Sequence, residues 1–290
     1  MTELIASSPA MQEVLQAALD VAPTGTTVLI SGESGAGKEV LARFLHGTSP
    51  RSALPCSLLV CATASVAELR GALQHGGTVI LDEVSGLGLE AQAQLLALLE
   101  APHPSRVIAT SNRDLQGLVA RGGLRSDLFY RLDVFPLSLP PLRERREDVG
   151  PLADRLLTRA AAGLGRTPPR LTGAALAALE GHDWPGNVRE LANLLQRALI
   201  RSRAPLLDAP DLGLSGARNS PSPFPEVLPL DLALLERLAI SEALRRTGGN
   251  RTHAARLLHI GLRTLRQKLN GPPRAEVMDP TVDQHPGGEA

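Results

Sequence analysis

Aromatic side chains are nearly missing from this chain. They make up 2% of its 290 residues, so a core drawn from the 43% that are hydrophobic must be built from Leu, Ala, Val and Ile. Cysteine is scarce too: Cys56 and Cys61 are the only two, which excludes a disulfide-framed scaffold. Close together on a β-like run, they read as buried thiols rather than a bridge or a metal site. No apolar stretch approaches the roughly 18 residues that a membrane span needs. The opening residues, MTELIASS, lack a basic region followed by an apolar core, so no signal peptide is expected and the compartment reads as cytoplasm. Net charge is also missing, 30 basic residues offsetting 30 acidic ones, which argues neither for nor against nucleic acid as a partner. At this length a large core and more than one domain are expected.

Glycine, by contrast, is concentrated where it informs. In Val28–Glu39, VLISGESGAGKE, a short apolar run suited to a buried strand meets Gly32, Glu33, Ser34, Gly35, Ala36, Gly37, Lys38 and Glu39. Residues 40–45, VLARFL, then read as helix. Strand, glycine loop and helix are the context of a phosphate-binding loop. The glycines let backbone N–H groups turn toward one anion, the helix offers its positive dipole end, and Lys38 adds a mobile charge. Position 39 departs from the general pattern, carrying Glu where most such loops place a Ser or Thr for magnesium.

Further strands are expected at 57–61, 78–81, 106–112 and, more weakly, 134–137, whose proline suits a sheet edge. The run TVIL at 78–81 ends in Asp82 and Glu83, placing two carboxylates at the carboxyl end of a buried strand, where open α/β sheets bind ligands. Asp82 there can hold Mg2+, directly or through water, and Glu83 can orient an attacking water. Ser111 and Asn112 reach the same edge. Helices are expected at 8–21, 148–162, 172–179 and 188–202, with Pro185-Gly186-Asn187 supplying a turn and an N-cap for the last. Residues 215–229 are rich in Pro and Ser and read as a linker, and 271–290 as a disordered tail.

Together these stretches resemble the AAA+ ATPase module of the sigma-54-dependent transcription activators, the bacterial enhancer-binding proteins. GESGAGKE at 32–39 matches that family's phosphate loop, including Glu39, and GGTVILDE at 76–83 its Walker B segment. LRSDLFYRL at 124–132, LPPLRERREDV at 139–149 and WPGNVREL at 184–191 are similar to family signatures. The resemblance implies a parallel-sheet α/β nucleotide-binding subdomain over 1–139 and a helical lid subdomain over 140–214. It also implies ATP and Mg2+ as ligands, Asn112 in sensor I, Arg125 and Arg131 as arginine fingers, and Arg189 as the sensor II residue. A finger serves a neighbour's nucleotide, so a ring, typically a hexamer, is implied. Trp184 reads as packing.

The C-terminal piece is locally basic: residues 245–270 hold seven Arg or Lys and no acid. That is the footprint of a phosphate-backbone binder. Over 230–270 the pattern is an all-α helix-turn-helix, with Asn250 capping a helix to Leu258, a turn at 259–261, and a second helix over 262–269. Leu262, Leu265 and Leu269 face inward there, while Arg263, Thr264, Arg266, Gln267 and Lys268, with Arg251 on the first helix, are the candidate DNA contacts. GGNRTHAARLLHIGLRTLRQKL resembles the Fis-type DNA-binding domain, with Gly261 where that family often has Ser. The expected partner is double-stranded DNA at a two-fold symmetric site, bound by a dimer or ring of this chain.

Two departures from the family bear on output. Only fourteen residues separate Cys61 from Gly76, where the family inserts a helix and a loop bearing the GAFTGA motif that contacts sigma-54. Val60 stands where the family usually has an Asn that holds the Walker B glutamate, and valine cannot donate that hydrogen bond. The chain also begins a few residues before the module, so control is expected from a partner, from expression level, or not at all, rather than from a receiver domain. The expectation is a regulator that binds and hydrolyses ATP, oligomerises and binds DNA without remodelling sigma-54 holoenzyme alone, its output being repression, activation of a different RNA polymerase holoenzyme, or a mixed ring with a loop-bearing homologue. The alternative is a DNA-binding repressor whose ATPase fold is an oligomerisation scaffold.

Overall fold

The computed structural model describes residues 4–214 and, further on, 240, 243–244, 247, 250–258, 260–262 and 264–265. The chain divides into two compact units, Met1–Ser215 and Gly216–Ala290. The expected linker and tail, and Arg263, Arg266, Gln267 and Lys268, lie outside the described residues.

Five parallel strands form the sheet of the first unit: β1 (Val28–Ser31), β2 (Cys56–Val60), β3 (Thr78–Asp82), β4 (Arg106–Ser111) and β5 (Phe135–Ser138). Their order is β2-β3-β4-β1-β5, so the first strand in the chain lies between the fourth and fifth. Pro136 sits on edge strand β5, where the missing N–H breaks no ladder bond on the open side.

The strands alternate between two apolar layers. Val28, Ile30, Ile80 and Ile108 pack with Met11, Ala18, Leu41 and Leu45 of α1 (Pro9–Val21) and α2 (Lys38–Gly47). Leu29, Val79, Leu81, Val107 and Ala109 face the other layer, built on α3 (Val66–Gln74), α4 (Leu89–Glu100), α5 (Leu115–Ala120) and α6 (Ser126–Leu132). Ile30, Ile80 and Ile108 are fully buried, and truncating any one to Ala costs about 2–5 kcal/mol. Helix α1 starts at Ser8, whose hydroxyl accepts from Met11 N, with Pro9 in the first turn. It ends against Arg106, a buried guanidinium that donates to Val21 O and Ala22 O, each at 2.9 Å, and to Thr26 O at 3.3 Å. The cation thus meets the negative end of the helix instead of a carboxylate.

A second core holds the lid: α7 (Val149–Gly163), α8 (Gly173–Glu180), α9 (Asn187–Arg201) and α10 (Ala209–Leu212), with a short parallel pair, β6 (Arg170–Leu171) and β7 (Leu206–Leu207). Trp184 is fully buried in this core and its indole N–H donates to Leu179 O at 2.9 Å, which is packing, as expected.

Several expectations need correction. Asn187 does not cap α9; Gly186 holds the cap position and Asn187 is the first helical residue, with φ +53° and its side chain turned elsewhere. Strand β2 is displaced by one residue, leaving Cys61 beyond its end, and Cys56 is only half-buried. Helices α4, α5 and α6 carried no expectation: LEAQAQLLALLE in α4 is apolar almost all round, so its helical period is faint. Between Cys61 and β3 the chain makes a turn, then α3, closed at its start by a Ser65–Glu68 capping box, then returns directly.

In the second unit Asn250 caps the helix Arg251–Leu257, its side-chain oxygen accepting from Thr252 N and His253 N. Ile240, Ala243, Ala254, Ala255 and Leu265 form its small core. Leu265 N donates to Gly261 O, and Arg251 and Thr264 are exposed.

Candidate nucleotide site

Strand β1 delivers the chain into the glycine loop at the point where its carboxyl end lies between those of β4 and β5. Gly35 and Gly37 have φ of +76° and +110°, a region that side chains resist. A Cβ on Gly35 would stand 2.4 Å from Gly186 O, so the residue must be glycine on two counts. Helix α2 begins with no side-chain cap, which leaves its first N–H groups for an anion.

Lys38 is the centre of the site. Its ammonium is buried, donates to Gly32 O (3.0 Å) and Glu33 O (3.2 Å), and pairs with Glu83 Oε1 at 3.0 Å. The other oxygen of Glu83 accepts from Asn112 N at 2.8 Å, so the backbone N–H of Asn112 makes this contact rather than its side chain. Thr110 joins the two acids, its hydroxyl donating to Asp82 Oδ1 (2.7 Å) and accepting from Glu83 N (3.0 Å). Glu83 itself is held at φ +55°, a conformation costing about 1 kcal/mol or more for a non-glycine residue. Residue 60, opposite Asp82 across the β2–β3 ladder, is an exposed valine and offers Glu83 no hydrogen bond.

Of the other expected residues, Arg189 reaches the loop and donates to Ser34 Oγ at 2.9 Å. The exposed carboxylate of Glu39 pairs with Arg43 at 2.7 Å. Arg125 forks onto both oxygens of Asp127, and Arg131 donates to Leu99 O, so within one chain both are engaged by their own surroundings. The carboxylate of Glu33 accepts from both terminal nitrogens of Arg143 and from Asn187 Nδ2, which hold its pKa down at about 2. Burial, and then the charges of Asp82 and Glu83, push the Cys61 thiol up to about 12.

Arg143, Arg145 and Asp148 had no role on sequence grounds and Asn187 only that of a cap, although all four fall in the stretches 139–149 and 184–191. Asp148 is fully buried and accepts from Ser7 N, Ser8 N and Ser8 Oγ, fixing the start of α1 to the first lid helix. Arg145, also buried, donates to Ala36 O (2.5 Å) and Met11 Sδ (3.4 Å). Arg145 and Met11 also wall an open cavity of about 190 Å³ beside the glycine loop, with Ile5, Val40, Leu156 and Val188 among its apolar residues.

An apolar cavity beside a loop of free N–H groups and a buried ammonium fits a nucleoside phosphate, with the base on the apolar side. Among the described residues no group of three or more His, Cys, Asp or Glu could hold a metal alone. The single carboxylate of Asp82, accepting from Thr110 Oγ1 at the edge where the glycine loop lies, is the kind of lone protein ligand that Mg2+ takes when it shares phosphates and water. No described helix is long and apolar enough to cross a membrane.

A five-stranded parallel sheet with this loop, paired acids after β3 and a helical lid packed on the loop defines an AAA+ module. Comparison with known proteins gives the same result. A domain family described as the sigma-54 interaction domain matches residues 5–142, the AAA+ ATPase lid domain matches 143–226, and the bacterial regulatory protein Fis family matches 231–270. The response regulator protein FleR of Pseudomonas aeruginosa is 38% identical over 91% of this chain and 69% of its own length. The transcriptional regulatory protein ZraR of Escherichia coli is 35% identical over 92% of this chain and 68% of its own. Among solved structures, NtrX from Brucella abortus in complex with ADP superposes with a TM-score of 0.68 at 31% identity, covering 93% of this chain and 68% of NtrX. The chain belongs to the sigma-54-dependent transcriptional regulators, with a sigma-54 interaction domain, an AAA+ lid and a Fis-type DNA-binding domain.

Proposed function

We propose that this regulator binds ATP at residues 32–39, assembles with copies of itself, hydrolyses the nucleotide across the subunit boundary and binds DNA through residues 230–270. The observation that carries the reading is the convergence of Lys38, Glu83 and Asn112 at the end of the glycine loop. The NtrX structure with ATP, at 29% identity and a TM-score of 0.67, supports the choice of nucleotide. Lys38 and the loop N–H groups hold the phosphates, Asp82 holds Mg2+, Glu83 orients the attacking water, and Arg189 senses the occupied loop from the lid. Bound Mg2+ neutralises charge developing on the phosphates. Arg125 and Arg131 leave Asp127 and Leu99 to reach a neighbour's nucleotide, which makes a ring, and turnover per protomer rises with protein concentration.

Lys38→Ala tests the site directly. It removes the buried cation while leaving the two apolar layers intact, so nucleotide affinity falls by about a hundredfold, or ~2.7 kcal/mol, in calorimetry on a folded protein. Equal binding by wild type and variant refutes the assignment.

On DNA, Arg263 and Gln267 read base edges, Arg266 and Lys268 the backbone, and Arg251 and Thr264 add further contacts at a two-fold symmetric site. Arg263→Ala or Gln267→Ala relaxes base preference at a cost of about 1–3 kcal/mol, and added salt weakens binding steeply. Salt-insensitive binding would contradict this. The missing family loop and Val60 also favour a second reading, a repressor in which the nucleotide only sets assembly. Absence of ATP turnover at high protein concentration, with ATP binding retained, would select it.

A further inference from the structure

The glycine loop is held from outside by the lid along successive peptide units. Asn187 is fully buried, and both ends of its amide are used. Its Nδ2 donates to Glu33 Oε2 (3.0 Å) and Ser34 O (3.1 Å), while its Oδ1 accepts from Leu142 N (2.7 Å). Val188 N donates to Gly35 O at 3.0 Å, and Arg145 to Ala36 O at 2.5 Å. Arg143 anchors the same turn by a two-pronged contact with Glu33, at 2.9 and 2.7 Å.

A trans peptide sets its N–H opposite its C=O. Drawing the carbonyls of Ser34 and Ala36 toward the lid therefore turns the N–H groups of Gly35 and Gly37 the other way, toward the anion position. The N–H of Ala36 is used within the turn, on Glu33 O at 3.2 Å. Gly35 can take part only because it is glycine, with Gly186 O against the place a Cβ would fill.

We infer that Asn187, with Glu33, Arg143 and Arg145, is a positioning residue that sets the peptide planes of the phosphate loop from the lid, so that lid placement and phosphate affinity are two sides of one equilibrium. The inference rests on the nucleotide reading above and adds how the loop is kept ready. Coupling of this kind is reciprocal: phosphates tighten the lid contacts by the factor by which the contacts tighten the phosphates. Adenosine, which carries no phosphate for the Gly35 and Gly37 N–H groups to meet, lies outside the coupling.

The test uses the full chain and two variants. Asn187→Gly keeps the left-handed backbone and removes the amide; Glu33→Gln weakens a partly exposed contact whose loss costs little stability. Calorimetry should give ADP affinity reduced about fivefold in Glu33→Gln and more than about tenfold in Asn187→Gly, with adenosine affinity unchanged. Hydrogen exchange should show ADP protecting 186–190 in wild type and not in the variants. If Asn187→Gly fails to fold, Glu33→Gln carries the test alone. Unchanged ADP affinity overturns the inference, as does an equal loss for ADP and adenosine, which would mark general loosening. Failure of the wild type to bind ADP would remove the nucleotide reading itself, and this inference with it.

Discussion

The carboxyl ends of β1 and β2 lie on the same edge of one sheet, yet they are finished very differently. Beyond β1 the carbonyls and side chains of the loop are engaged, which leaves the N–H groups of Gly35 and Gly37 for an anion: Lys38 meets three oxygens, and Glu33, Ser34 and Ala36 are bonded to the lid. Beyond β2 an exposed Val60 leads into a turn, a nine-residue helix and a direct return to β3. The nucleotide end is held by many mutually dependent contacts, while the end from which a projecting loop would spring keeps only enough chain to cross the sheet. A loop can be shortened at the second place without disturbing the first, because long surface segments contribute little to closure of the core.

The sharpest way to break this contrast is to ask the β2 end for work. With purified sigma-54 polymerase, ATP and a DNA site for this protein, no open complex should form, since remodelling needs a contact that differs between states and 62–75 spares no residues for it. Open-complex formation by this chain alone would falsify that; activity only on adding a loop-bearing homologue would favour a mixed ring. A smaller effect comes from restoring the side chain that the family usually carries. Val60→Asn places a donor on the strand beside Asp82 and Glu83 and should slow ATP turnover several-fold by holding Glu83, with nucleotide affinity unchanged. Faster turnover would mean that Lys38 and Asn112 N already hold it less well than supposed.

The smallest effect sharpens the β1 end through pH. Glu33 titrates at about 2 in the folded chain, below its usual 4.5. Its contribution to stability is therefore complete above about pH 5 and is lost as pH falls through the folded value. Wild type and Glu33→Gln should keep a constant difference in thermal midpoint from pH 8 to 5, a modest one because the pair is partly exposed, and converge on further acidification. A difference that widens on acidification would place the charge elsewhere.

Much of this could be read from the chain itself. Glycine spacing, apolar runs ending in Asp82 and Glu83, and Asn250 before a helix are local signals, because each depends on a few neighbouring residues and fixed backbone chemistry. The parallel sheet and the regulator's family followed from those stretches. What sequence left unassigned was decided at a distance. Asn187 stood out as a cap by position, but buried contacts with residues more than a hundred positions away claimed its amide instead. Arg106 looked like the polar start of a strand and closes α1. Arg145 and Asp148 sat among other charged residues, indistinguishable until folding left them with little or no solvent and gave each one set of partners. Burial makes that choice: a polar group shut away from water must take the partner the fold brings, and no local rule names that partner in advance.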